Sequence, residues 1–509
     1  MCPRVALLAC LCLGCDGGRA AAPRPPNAAL RLVLSDAAGA PLGARVGVLR
    51  GGRWVEALPF RGGLGWRTRR QDFLDGGGER FVYVGPDAEL TVPPGRLRLV
   101  IRRGQAFAPI ARTVRVAPGG RVTVRATLRR WSDRRTRGWR CGDLHLHLAR
   151  LHHERDGALR ELLDAEDLDV AALVDWAGRA DGGFAPGWGG WEWRAAQLAR
   201  SARRDGRLVF AGQGWGRPDR ACTLALFGHA RPVEGVSRYS PPAIVEAVRA
   251  QGGLASGTMG EVPIDGAVLG RVDATEILSH GRMAHLEDWY ALLNVGARVA
   301  AVAGSDVQGT PWPTTLVDYH SPPGASRVCV RLEDAALTRA AFLDAIRAGR
   351  TFVTSGPTLE LTVDGRPVGA TVERPGPGLV TVRVRLRAPS PPGGRLRLIR
   401  NGETVWERAA DETAVDASVE LAVDQSAWLA ARLDGDARLP GGDVQVAHTS
   451  PVWVRVAGAA VFDDDAAAHL RERLPRADAI ATSGRSSAHE RRVALRWLRE
   501  ARARLAGSR

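Results

Sequence analysis

The chain contains no lysine, so all 71 of its cationic side chains are arginine, set against 55 acidic residues for a formal charge of +16. Such an excess invites a nucleic-acid reading, because phosphate binding needs clustered cations. The arginines are instead scattered among Ala, Gly, Pro and Trp, and no nucleic-acid motif accompanies them, which excludes that class. One dense patch stands out: Arg129, Arg130, Arg134, Arg135, Arg137 and Arg140. It reads equally as a solvated interdomain linker or as a surface favouring anionic substrates. Long apolar runs are lacking after the first residues, which excludes a polytopic membrane protein. Cysteine is scarce too. Four of seven (Cys2, Cys10, Cys12, Cys15) fall at the start, leaving Cys141, Cys222 and Cys329, too few and too far apart for a disulfide framework, though one pair can form in an oxidising compartment.

What is present begins with a leader. Residues 1–15 carry a single Arg4, a short apolar stretch and then small residues, the form of a secretory signal. Cys12-Leu13-Gly14-Cys15 resembles a bacterial lipobox, in which Cys15 would be lipidated, become the new N-terminus and attach the chain to a membrane. Residues 16–27, rich in Pro, Ala and Gly, read as a tether.

At 509 residues the chain exceeds what one hydrophobic core organises, so several folded units are expected. Residues 28–130 alternate apolar and polar positions between Gly and Pro turns, which predicts antiparallel strands and a small β-sandwich. From 138 to 357 strand and helix patterns alternate: AIVEAVRAQGG, ATEIL, LEDWYALLNVG, RVAAVAGSD. That order argues for parallel strands with crossover helices, in which ligand groups gather at the carboxyl ends of strands. Period-2 alternation returns over 358–457 and predicts a second sandwich. Residues 463–509 show helical periodicity with alternating charge, expected as a solvated or loosely docked tail.

The chemistry concentrates in Asp143-Leu144-His145-Leu146-His147. The three polar side chains alternate along one strand end and project from the same face. Two imidazoles so spaced converge on one divalent ion, and a neighbouring carboxylate ligates it or orients a ring through its other nitrogen. A second polar strand end, Gly304-Ser305-Asp306, supplies a carboxylate that either joins this cluster or caps the next element. Glu276 and His280, at the end of another strand, and Cys222 are weaker candidates, each with a bland reading as a backbone-bonded or core residue. His152, His153 and Glu154 read as an exposed loop. Trp188, Trp191 and Trp193, with Trp176 and Trp215, form either an aromatic wall for a ligand or core packing.

These segments together resemble the CehA/McbA-type metallohydrolases, a branch of the polymerase and histidinol phosphatase (PHP) superfamily. The resemblance runs through GDLHLH, AEDLDVAALVDW, GSD, GRTFVTSGP at 349–357 and AHTSPVWV at 447–454. It implies a distorted seven-stranded β/α barrel flanked by N- and C-terminal β-sandwiches, so a multidomain α/β plus β protein. The family's further ligand motifs depart here. Thr-Asp-His becomes Val174-Asp175-Trp176. Gly-x-Glu falls at Gly212-Gln213-Gly214, and Gly-His at Ala221-Cys222. Met259 stands where a histidine ligand belongs, and the final Gly-Ser-Asp-x-His keeps Asp306 but has Gln308.

Gln, Trp and Met do not replace carboxylate and imidazole on a hard or borderline cation, so the resemblance implies one ion where the family builds a cluster. The expectation is an exported hydrolase of an ester, amide or phosphoester acting through water on a single zinc or manganese ion. His145, His147 and Asp306 would hold the ion, Asp143 would orient a histidine, and Asp175 would serve as ligand or general base. Small molecules or glycans are the expected partners, and nucleic acid is not. The competing expectation is an inactive barrel that binds a glycan or protein outside the cytoplasm.

Overall fold

The computed structural model describes residues 27–55, 58–59, 64–67, 80–148, 156–176, 201–204, 206–216, 223–237, 239–309, 322–333, 336–438 and 444–507. The leader, Cys222, the His152–His153–Glu154 loop and Trp188, Trp191 and Trp193 lie outside these residues, as do the side chains of Asp175, Trp176 and Gln308. Strand predominates over helix among the described residues, a departure from the even alternation that the sequence suggested.

The first unit is a sandwich. Alternating strands such as Ala28–Ser35, in which Ala28, Leu30, Leu32 and Leu34 are buried, point every second residue inward. Two sheets, one of four strands and one of six, enclose a shared core of Leu30, Leu32, Val46, Leu97, Leu99 and Ile101.

The central unit is a ring of paired strands. Trp139–Leu148 pairs in parallel with Val170–Trp176, which pairs in parallel with Arg207–Gly216. Thr223–Phe227 then runs antiparallel to both of its neighbours, Arg207–Gly216 and Leu254–Gly257. Parallel pairing resumes from Leu254–Gly257 to Ala274–Ser279 and on to Ala300–Gly304. The chain's continuation, Val307–Gly309, pairs in parallel with Leu146, His147 and Leu148, so the ring returns to its first strand. One reversed strand thus interrupts what alternation alone presented as uniformly parallel. The ring strands are near-continuous apolar runs (Thr223–Phe227 and Ala300–Gly304 are buried at every position) because both faces are covered.

An antiparallel edge joins this ring to a last sandwich, in which the four-stranded sheet of Arg366–Pro367, Thr358–Val363, Gly378–Arg387 and Ala414–Val423 shares a core with strands Arg395–Arg400, Ala427–Arg438 and Val452–Val456. Arg327–Arg331 pairs with the start of the Trp139–Leu148 strand, Thr351–Thr354 pairs with Arg327–Arg331, and Val444–Thr449 pairs with Thr351–Thr354. At the first of these pairings Cys141 stands opposite Cys329, and the two form a disulfide across 188 residues of sequence. Two segments meet on the edge of strand Ala300–Gly304: Ser450 Oγ accepts from Ala301 N at 2.9 Å, Thr351 Oγ1 donates to Ala301 O at 2.8 Å, and the two hydroxyls bond each other at 2.7 Å. GRTFVTSGP and AHTSPVWV therefore hold the strand that leads to Asp306.

The tail is docked rather than loose. Helix Ala488–Leu505 starts with a capping box between Ser487 and Glu490, and its apolar stripe of Val493, Trp497, Leu498 and Ala501 is buried in the core of the central unit. Trp497 is fully buried, and its Nε1 donates to Glu246 at 2.7 Å.

A candidate metal centre at the ends of three strands

The site is assembled by three consecutive pieces of backbone. Gly304 brings the last ring strand against the first: a Cβ there would lie 2.1 Å from the Cβ of His145, so only glycine permits the approach. Ser305 follows, and its backbone N–H donates to Asp143 Oδ1 at 3.1 Å while its hydroxyl bonds Asp143 Oδ2. Asp306 comes next, turned by a φ of +48° into the left-handed region. Met259 and His280, just past the ends of Leu254–Gly257 and Ala274–Ser279, are held the same way at +51° and +50°. Three non-glycine residues in that region around one spot mark a locally strained constellation.

Two imidazoles converge on Asp306. His145 Nε2 lies 3.5 Å and His147 Nε2 3.2 Å from Asp306 Oδ1. The opposite ring nitrogens are committed. His147 Nδ1 donates to Val174 O at 2.8 Å, and His145 Nδ1 donates to Glu276 Oε2 at 2.9 Å. Because a carbonyl or carboxylate oxygen only accepts, both rings carry a proton on Nδ1, and both face Asp306 with Nε2. His145, His147 and Asp306 are all buried and place their ligand atoms within 4.8 Å of one another.

Asp143 takes a different part from the one expected of it. Its fully buried carboxylate accepts from the backbone N–H of His145 (3.0 Å), Ser305 and Gly324 (2.7 Å) and from the Ser305 hydroxyl. It ties three segments together through their backbone. The residue that orients an imidazole is Glu276, which is also held by the Met259 N–H at 3.2 Å. Met259 thus serves the site through its amide. His280 reaches the other oxygen of the shared carboxylate, Nε2 to Asp306 Oδ2 at 3.3 Å. Gln213 lies elsewhere: its amide bonds Val233 and His229. Trp215 is core, while Cys222 and the side chain of Asp175 lie outside the described residues.

The electrostatics follow from burial and neighbours. Burial opposes charge on His145, but Glu276, Asp306 and Asp143 outweigh it and raise the imidazole to about 9. Burial also opposes charge on Asp306, yet hydrogen bonds from His147 and His280 and the charge of His145 hold its carboxyl well below the usual range. Burial pushes Asp143 up to about 6 despite its four donors. The fit to a cation rests on polarity left open: His145 Nε2 and Glu276 Oε1 are buried without a hydrogen-bond partner.

Four arginines of the basic patch before the site, Arg130, Arg134, Arg135 and Arg137, form an ion network, while Arg129 and Arg130 stay exposed. Arg130, Arg134 and Arg135 converge on fully buried Asp167, at 3.0, 2.9 and 3.0 Å. Arg135 also meets Asp169, Arg137 pairs with Glu360, and Asp169 accepts from Cys141 N at 2.8 Å. Apart from Glu360, the acidic partners come from the AEDLD run after helix Asp156–Ala165, whose motif is visible in the sequence but whose pairing with the arginines is not.

Compared with models of protein families, with curated proteins and with solved structures, the chain matches none.

Proposed function

We propose that this chain is an exported, PHP-like hydrolase that uses one divalent ion on an ester, amide or phosphoester. The observation that carries the reading is the pair of histidines, each anchored through Nδ1, that meet Asp306 at one buried spot, where His145 Nε2 has no hydrogen-bond partner. Three protein ligands of this type leave a coordination position open, as catalytic zinc sites do. When bound, the ion would supply Lewis acidity toward the scissile group. The chain's own residues do the rest: Glu276 and Val174 O fix the rings, and Asp143 fixes the backbone beneath them. The closed ring of strand segments supports the barrel reading, since the site sits at the carboxyl ends of its strands. Export is supported by the leader and by the Cys141–Cys329 disulfide, which suits an oxidising compartment.

The test is metal content after incubation with Zn²⁺ or Mn²⁺, comparing wild type with a His145→Ala, His147→Ala double variant, followed by a screen of p-nitrophenyl esters and phosphoesters. One equivalent in wild type and none in the variant is expected. Absence of stoichiometric metal in wild type would sink the reading, and metal without turnover across the screen would favour a binding protein.

A further inference from the structure

The described turns at one end of the N-terminal sandwich carry arginine without acid, and that is the end where the chain enters. Register fixes which turns share that end. Ala28 pairs with Val92 and Ala29 with Arg121, while Gly95 pairs with Val116 and Leu49 with Arg98. The entry of strand Ala28–Ser35 therefore lies beside three described turns: Arg50-Gly51-Gly52-Arg53, Pro93-Pro94-Gly95-Arg96 and Ala117-Pro118-Gly119-Gly120-Arg121. Each carries arginine, and none carries a carboxylate.

Arg121 at this end pairs with Glu89, but three arginines of the six-stranded sheet have no ion pair among the described residues. Arg96 stands directly opposite Arg115 on neighbouring strands, and Arg98 sits one step inward, between Leu49 and Thr113. Arg96, Arg98 and Arg115 are exposed, and among the described residues none forms an ion pair. Like charges placed directly across a strand pair destabilise a sheet, so Arg96 and Arg115 cost stability unless an anion covers them. The neighbouring sheet of the same sandwich shows the ordinary solution, with Arg31 on Asp87 and Arg121 on Glu89. Beside the unpaired arginines Trp54 lies half-buried across Gly47, where a Cβ would come within 2.2 Å of the indole. A flat face of guanidinium groups with an indole at its margin suits phosphate headgroups at an apolar boundary.

We propose that this end of the N-terminal sandwich docks on an anionic phospholipid surface. The occupant is chosen by where the chain leads. Only residues 16–27 separate the first strand from the lipobox cysteine, a reach of at most about 40 Å, so a lipidated Cys15 would hold this end against the bilayer. The patch then adds the electrostatic half of a two-part attachment. The proposal shares the export leader with the functional reading and nothing of its metal chemistry.

The experiment uses the full chain from Asp16 onward, without lipid, sedimented with phosphatidylcholine vesicles containing 0 or 30% phosphatidylglycerol. Binding to the anionic vesicles alone, lost in 0.5 M NaCl, is expected. At about fivefold per arginine, Arg96→Gln, Arg98→Gln, Arg115→Gln should lower the partition coefficient about a hundredfold. The corresponding glutamate triple should lower it further, whereas Arg366→Glu, Arg387→Glu in the C-terminal sandwich should leave it within about twofold of wild type. Thermal unfolding checks that each variant is folded, and metal content read on the same samples keeps this result separate from the functional one. No binding to anionic vesicles, equal binding to neutral ones, equal losses in both sets of variants, or capture by an acidic polysaccharide but not by vesicles would each overturn the proposal.

Discussion

Strand Trp139–Leu148 carries a buried polar cluster near each end, and the two are built on opposite terms. Near its start, Asp167 is enclosed by Arg130, Arg134 and Arg135, and Asp169 accepts from Arg135 and from Cys141 N. Three arginines more than repay burial, and the Asp167 carboxyl is held far below its ordinary range. Near its other end, His145, His147 and Asp306 are as deeply buried, yet His145 Nε2 and Glu276 Oε1 lack hydrogen-bond partners. Charge that serves the fold meets opposite charge from the protein itself, even where one atom, Arg134 Nε, is left without a hydrogen bond. Charge kept open inside a protein costs stability and persists where something from outside completes it.

That contrast can be broken from either side. The largest effect is expected from the His145→Ala, His147→Ala double variant, which should lose its stoichiometric metal outright while the ion-free protein unfolds at or above the wild-type denaturant midpoint. A marked drop in that midpoint would make these histidines structural. Next comes Asp167→Ala, which strands Arg134 in the interior and should cost about 3–5 kcal/mol in denaturant unfolding without changing metal stoichiometry in the folded fraction.

Acid provides a third handle through a histidine of the closed kind. His448 donates from Nδ1 to Thr449 O at 2.8 Å and accepts at Nε2 from the Tyr290 hydroxyl at 2.7 Å, and burial lowers its pKa to about 3. The folded value lies below the unfolded one, so the unfolded chain binds the proton more readily between them. Stability is intact above about pH 6.5 and is lost as pH falls toward 3, roughly 2–3 kcal/mol by pH 4.5. Unfolding midpoints of wild type and His448→Gln across that range check it, and an unchanged slope in the variant would remove His448 as the cause. The smallest expected effect is Glu276→Gln, which keeps the ring contact but removes its charge and should weaken Zn²⁺ affinity about tenfold. Affinity equal to wild type would mean that Glu276 merely packs beside His145.

What the sequence made legible was local. Alternation exposed the strands of both sandwiches, and the two-residue spacing of His145 and His147 placed both rings on one face. Asp306 was visible because a polar Gly-Ser-Asp follows an apolar strand. What stayed hidden depended on register between distant segments. Glu276 meets His145 across 131 residues, because Ala274–Ser279 lies beside Ala300–Gly304 and that strand lies against His145. Nothing local distinguished its carboxylate from that of Asp143, so the task of orienting a ring went to the wrong one. The arginine patch was likewise read without its partners, since the acidic run after helix Asp156–Ala165 reaches it only through the fold. Composition left the pairing of Cys141 with Cys329 undecided because three body cysteines allow three choices.

That disulfide has a topological consequence. Residues 142–328 form a covalently closed loop that contains His145, His147, Glu276, His280 and Asp306. The segments at 177–200 and 310–321 lie inside it. A protease that cuts either segment once would therefore convert the chain into two pieces that still travel together, with every candidate ligand retained in one molecule until a reductant parts them.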